Sequence, residues 1–197
     1  MPAKKKPTKK TYLWKFLHLQ DGEIVSDHDK NLSWKINEWK TIAGEIKCCD
    51  NGFHASKGIL QALNYVKGDV LAKVEVKGTS DKEDDKEAWS DMRIVKAYQW
   101  TKIDSVKLAI FSAYQCIEVF EKWNPNDDRP RKAIEAAEAY IKNPTSAANA
   151  AESGAWNAAN AAESAARSAA WSAANAAEQK IEKWLVSHVK NLKPITK

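Results

Sequence analysis

The densest group of chemistry-bearing side chains in the sequence is Cys48-Cys49-Asp50-Asn51-Gly52-Phe53-His54. Two thiols, a carboxylate and an imidazole could bind a metal or supply a thiol nucleophile with a histidine base. A zinc site needs ligands that converge, most often a Cys-x2-Cys pair matched by a second pair. Here the two cysteines are adjacent, so a strand would send them to opposite faces, and Cys116 stands alone. No metal is expected; the thiols are expected in the interior and His54 in a turn. A nucleophile built on Cys48 or Cys49 with His54, His18 or His28 would need its base within hydrogen-bond reach and a third group to orient it.

Other clusters point to binding more than to catalysis. Asp81, Glu83, Asp84, Asp85 and Glu87 lack the spacing and glycine of a calcium loop, and Lys82 and Lys86 interrupt them, so a solvated loop is expected. Arg129 and Arg131 fall in the first turn of an expected helix, where they could hold an anion or pair with Asp127, Asp128 or Glu135. The chain has nine tryptophans. Tryptophan is enriched at interface hot spots, yet it is mostly a core residue. Trp34, Trp39 and Trp89 lie in glycine-, lysine- or acid-rich surroundings and are the ones to suspect of surface recognition. No phosphate loop, dinucleotide fingerprint, serine elbow or zinc-helix motif occurs. The expectation is a chain with no cofactor and no assembled catalytic set. Its candidate binding residues are Phe53, His54, Arg129, Arg131, Trp34 and Trp39.

The elements that position these residues follow from composition. The chain has 197 residues, 44% hydrophobic and 29% charged, which supports a packed core in one domain or two small units. No run of about 18 apolar residues exists, so no membrane span is expected. Three cysteines do not make a disulfide framework, and a reducing cytoplasm is the expected location. Thr11 to Leu19, with Lys15 and His18, is too short and too polar for the core of a secretory signal. The net charge is +5, and five lysines stand in the first ten residues, so the remainder is neutral. That basic stretch, 1–10, is expected to be disordered. It reads as a solubilising leader, or as an arm with weak, salt-sensitive contact to nucleic acid.

Six of the seven glycines lie at or before Gly78. The fold class expected is α+β: a small mixed unit with an antiparallel sheet over 11–103, then an all-helical unit over 104–197. Strands are expected at Tyr12–Leu19 and Glu23–Val25 around an Asp21-Gly22 hairpin turn. Further strands are expected at Glu45–Cys49, Val70–Val76 and Met92–Trp100. A short helix is expected from Ile59 to Val66, and Ser33–Thr41 reads as a loop or short helix over the sheet. Val106, Ile110, Ala113, Ile117 and Phe120 step by four, three, four and three, which is one apolar stripe on a single helix from Asp104 to Trp123. A helix from Ala133 to Lys142 follows, with Pro130 in its first turn.

From Thr145 to Glu178, 17 of 34 residues are alanine, and the pattern Ser146-Ala-Ala-Asn149-Ala-Ala-Glu152 returns at Asn157 and at Ser172. Alanine is the strongest helix former, so one long helix is expected. Its spacing resembles that of helical antifreeze proteins, but Trp156, Trp171 and the interrupted register argue against a flat ice-binding face. The simpler roles are packing within a helical unit or, if the Ala/Trp face is uncovered, homo-oligomerisation.

Two stretches carry a family resemblance. Cys49-Asp-Asn-Gly-Phe-His-Ala-Ser56, Leu60 to Gly68, Val74 to Gly78 and Asp85-Lys86 together resemble an uncharacterised α+β module with a "GFH" motif, common in bacteriophage and prophage proteins. Ala109 through Asp127 to Ala137 and the Ala/Trp stretch resemble a helical module that also occurs in predicted bacterial immunity proteins. The resemblance implies a phage or bacterial cytoplasmic setting and carries no catalytic residues with it. The functional expectation is a phage-encoded binding protein that blocks or sequesters a host component, such as part of an antiviral defence system. Its partner would be a host protein or a small nucleotide-like ligand. The alternatives are a structural, oligomerising or virion-associated protein, and an enzyme acting on a nucleotide or protein by ADP-ribosyl transfer, with His54 or His18 central.

Overall fold

The computed structural model describes residues 10–29, 32–143 and 171–196. The basic stretch up to residue 9 and the alanine-rich repeat up to residue 170 lie outside the described residues. So does the oligomerisation expected of that repeat. The chain is α+β, with an antiparallel sheet in the N-terminal half and helices in the C-terminal half. Among the described residues no helix is long and apolar enough to cross a membrane.

The first unit is built on three long strands, β1 (Thr11–Gln20), β6 (Val70–Lys82) and β7 (Glu87–Gln99). Short strands line the edges: β2 (Glu23–Val25), β3 (Ser33–Trp34), β4 (Lys40–Thr41), β5 (Phe53–Ala55) and β8 (Pro194–Ile195). The path runs β3-β2-β1-β6-β7-β4, with β5 and β8 also on β7. The β1–β2 turn places Asp21 at φ 51° and Gly22 at φ 82°, the conformation that an Asp-Gly pair favours in a two-residue hairpin. The free edge of β7 is covered in succession by β8, Ile36, β4 and β5. Directly after β5, Ser56 exchanges both backbone hydrogen bonds with Trp14 of β1, each 2.8 Å long. The segment 53–56 therefore ties the far edge of β7 to the far edge of β1 and curls the sheet around its core. Inside lie Leu13, Leu17, Val70, Ala72, Val74, Val76, Met92 and Ile94, with Trp34 and Phe53 from the edge strands.

α1 (Ile59–Tyr65) follows the clasp, and Gly68 leads from it into β6. A Cβ on Gly68 would stand 2.1 Å from the Leu17 carbonyl oxygen, which is backbone and cannot rotate away. Gly68→Ala is expected to lower stability by about 1–3 kcal/mol through that clash, seen as a lower urea midpoint. An unchanged midpoint would mean that the approach is not tight.

The second unit comprises α2 (Lys102–Tyr114), α3 (Ile117–Trp123), α4 (Arg129–Lys142) and α5 (Trp171–His188). α2 opens on a capping box: Thr101 accepts from the Asp104 amide while Asp104 accepts from the Thr101 amide. Its stripe packs Val106, Ala109 and Ala113 against Ile134, Ala137 and Tyr140 of α4.

Four differences from the expected elements stand out. The apolar stripe over Asp104–Trp123 is broken at Gln115 and Cys116 into α2 and α3, though no glycine or proline marks the break. Glu45–Cys49 is a loop, and the strand lies after the turn, at Phe53–Ala55. The second unit ends at Lys190, because the chain returns from Asn191 to the first unit, where Pro194–Ile195 pair with β7. The boundary after the sheet falls at Trp100, three residues before the expected 103.

Candidate functional site

The Cys48–His54 segment is a closed loop. Lys47 and Asn51 exchange backbone hydrogen bonds of 2.9 and 3.0 Å, and the Asn51 amide group donates to the carbonyls of Ala43 and Glu45. Cys49 adopts φ 65°, which turns its N–H onto His54 Nε2 at 2.9 Å. A ring nitrogen that accepts from a backbone N–H carries no proton, so the imidazole is neutral with its hydrogen on Nδ1. Burial lowers the His54 pKa, and Lys15 and Lys86 push it the same way against a hydrogen bond to the Gly52 backbone. With its lone pair engaged, His54 serves as an acceptor that pins the loop. Cys48 is buried, donates its N–H to Asp81 Oδ2 at 2.9 Å, and has its thiol pKa raised by burial. Cys49 is exposed, with Lys86 Nζ 2.8 Å from its sulfur. The structure thus brings Cys49 and His54 together, but through the Cys49 backbone. His18 pairs with Asp27 at 2.8 Å. Among the described residues no group of three His, Cys, Asp or Glu side chains is placed to hold a metal ion.

The aromatic candidates divide. β5 alternates, so Phe53 and Ala55 point inward and His54 outward. Phe53 packs edge-on against Trp34, with ring centroids 5.3 Å apart, and Trp34 Nε1 donates to Ser26 Oγ. Both rings are buried, so neither presents the binding surface expected of it. Trp89 is buried too, donating to the buried Glu87 carboxylate that Lys57 and Lys82 flank. Trp39 differs: it is half-buried, with Lys77 Nζ 4.1 Å and the Arg93 guanidinium carbon 4.8 Å from its ring centre.

Arg129 and Arg131 lie in the second unit, and each is paired with a carboxylate. Arg129 makes a two-pronged contact to Asp127. Arg131 makes one to Glu121 of α3, at 2.6 and 2.7 Å. The second partner was not among those expected, because it lies ten residues back on another helix.

Lys15 carries a pH effect. Its ammonium donates to the His54 carbonyl at 2.8 Å, and burial, opposed by Asp27, lowers its pKa from 10.5 to about 8. Between those values the unfolded chain binds the proton that the folded chain has lost, so stability rises with pH. Lys15→Met is expected to abolish that rise, worth about 2 kcal/mol. The check is urea unfolding of both proteins at pH 7.5 and pH 10. Parallel pH dependences would disprove the assignment.

The outward face of the three long strands is the feature that sequence reasoning missed. Cross-strand register sets out its rows: Trp14–Lys73–Lys96, then Tyr12–Glu75–Arg93, then Lys77–Asp91 with Lys10 beside them. Lys73 Nζ lies 5.2 Å from the Tyr12 ring centre and 5.7 Å from that of Trp14. Arg93 grips Glu75 at 2.6 and 3.0 Å, and Lys10 reaches the other carboxylate oxygen at 3.6 Å. Asp91 is held by Thr41 and Ser90, which lower its pKa. With Trp39 at the margin, the face presents five cations, Lys10, Lys73, Lys77, Arg93 and Lys96, against two committed carboxylates. A signal was there. Leu13, Leu17, Val70, Ala72, Val74 and Val76 fill the inner face, so Tyr12, Trp14, Lys73 and Lys77 had to point out.

No curated protein and no solved structure matches the chain. Residues 23–106, which span β2 to β7 and the first turn of α2, are similar to the family described as a domain of unknown function (DUF7666).

Proposed function

We propose that this chain is a binding protein that holds a macromolecular partner on the outer face of β1, β6 and β7. The observation that carries the reading is the row Trp14–Lys73–Lys96. There two lysines are paired in register across β6 and β7, and the Lys73 ammonium lies 5.7 Å from the Trp14 ring centre. Like charges opposed across a sheet destabilise it, and an anionic partner removes that cost. The groups first considered for chemistry have structural occupations: His54 accepts from a backbone amide, and Cys48 is buried against Asp81. A phage or prophage setting, in which binding sequesters a host component of antiviral defence, rests on the resemblance of the Gly-Phe-His stretch and the Ala/Trp stretch.

The test is native mass spectrometry of the chain purified from a bacterial host, beside a Lys73→Glu, Lys96→Glu variant. A companion mass carried by the parent protein and lost from the variant is expected. A parent protein that carries nothing at any concentration would refute the reading.

A further inference from the structure

We infer that the partner of this face is a single-stranded nucleic acid, an inference that rests on the binding reading above. The face offers charge and rings in alternation. Lys73 and Lys96 lie across one row, Lys77 and Arg93 sit over Trp39, and Tyr12 stands 44% exposed beside Lys73. Tyr12 and Trp14 are two positions apart on one strand, so their rings emerge on the same face about 7 Å apart. Surfaces that hold single strands combine these elements: cations that follow the phosphates and aromatic rings on which unpaired bases stack.

The chemistry separates this occupant from its rivals. An acidic peptide would meet the lysines but give the tyrosine and tryptophan rings nothing to stack on. A duplex would offer phosphates, but its bases lie inside their own stack. An unpaired strand supplies both a phosphate line and free base faces. Of the two carboxylates, Glu75 is neutralised by Arg93 and Lys10, and Asp91, kept ionised by Ser90 and Thr41, is paired in register with Lys77. The face reads no particular base, since stacking is tolerant of sequence.

The test is fluorescence anisotropy of a labelled oligothymidylate of about 16 nucleotides, the upper site size for one such sheet. With about three phosphates neutralised, affinity is expected to fall roughly 20-fold between 50 and 200 mM salt. Lys73→Glu with Lys96→Glu is expected to weaken binding by at least tenfold. Tyr12→Ala is expected to weaken it about tenfold and Tyr12→Phe to retain it, because the phenyl face is kept. Far-UV circular dichroism checks folding, and Lys96→Glu alone, at an exposed position, stands in if the double variant unfolds. Several results would overturn the inference. They are a duplex that binds as tightly, polyglutamate that competes as well as the oligonucleotide, a neutral Tyr12→Ala, or binding lost when Lys4, Lys5, Lys6 and Lys9 become alanine but kept in Lys73→Glu, Lys96→Glu. If the oligonucleotide fails while mass spectrometry finds a protein partner lost from that variant, the inference falls and the binding reading stands. If both fail, both fall.

Discussion

Replacing Phe53 by alanine is expected to cost the sheet unit about 3–4 kcal/mol, the usual loss for a buried phenyl ring. The same change at the neighbouring His54 should cost about 1 kcal/mol, the worth of one hydrogen bond. The difference follows from what the three-residue strand β5 does. It is the only stretch among the described residues that pairs with β7 and leads at once, through Ser56, to the free edge of β1. Phe53 anchors this clasp in the core against Trp34, and Gly52 before it takes φ 133°, a conformation that other residues rarely adopt, with a Cβ there only 3.1 Å from Ala88 and Ile46. His54 points the other way and holds only the loop before the clasp. Because the chain forms two units, a single melting curve would blend them. Native-state hydrogen exchange resolves the effect by residue. Amides of β6 and β7 should exchange more than about a hundredfold faster in Phe53→Ala. In His54→Ala the change should stay within about tenfold. Equal effects would return His54 to the structural core. A near-neutral Phe53→Ala would deny the clasp. On this reading the Gly-Phe-His pattern marks how the sheet closes and leaves the binding function to the opposite side of the strands.

What could be read from residue order was whatever is local. The Asp21-Gly22 turn and the alternation of Val70, Ala72, Val74 and Val76 come from neighbours a few positions apart, and both are present. What could not be read is register. Nothing near Lys73 in the chain says that Lys96 lies opposite it, and a bulge at Lys73/Val74 places it there. The edge strands escaped for a related reason. β3, β4 and β8 are two residues each and β5 three, too short to show a period. Their strand character comes from the edge of β7 or β2 that receives them. Glu45–Cys49 looked like a strand by composition, but Asn51 folds that stretch into a loop by donating to two of its carbonyls. Aromatic residues in polar surroundings misled in one direction. Trp34 and Phe53 sit among glycines and charges in the sequence but in the core of the fold, while Tyr12 and Trp14, in the middle of an apolar-looking strand, face outward.

The second large effect belongs to the helical unit. Asp104→Ala should destabilise it by about 2–5 kcal/mol, because it leaves the buried His188 N–H without its acceptor and removes the cap of α2. Asp104 and His188 are both buried, with His188 Nε2 2.8 Å from Asp104 Oδ1. A carboxylate can only accept, so the ring nitrogen carries the proton. The same carboxyl group receives the amide and hydroxyl of Thr101 at 2.9 and 2.5 Å, so it caps α2 while it holds the last turn of α5. Trp184 stacks on His188 at 4.6 Å and on Phe111 of α2 at 5.2 Å, which fixes the imidazole in plane for its bond. Burial pushes the Asp104 pKa up, but the Thr101 hydrogen bonds and His188 outweigh it and leave it below 3.8. With the folded value below the unfolded one, the contribution is complete above about pH 4–5 and is lost as pH falls through the folded value. Parent protein and Asp104→Ala should therefore differ more near pH 7 than in strong acid, as read by hydrogen exchange of α2 and α5 amides or by urea titration. His188→Phe keeps a ring on Trp184 but removes the N–H. It should cost less, about 1–3 kcal/mol. Combined with Asp104→Ala it should fall short of additivity, because each change already breaks the shared bond. Strict additivity, or a difference between the proteins that does not change with pH, would show that the pair contributes packing alone.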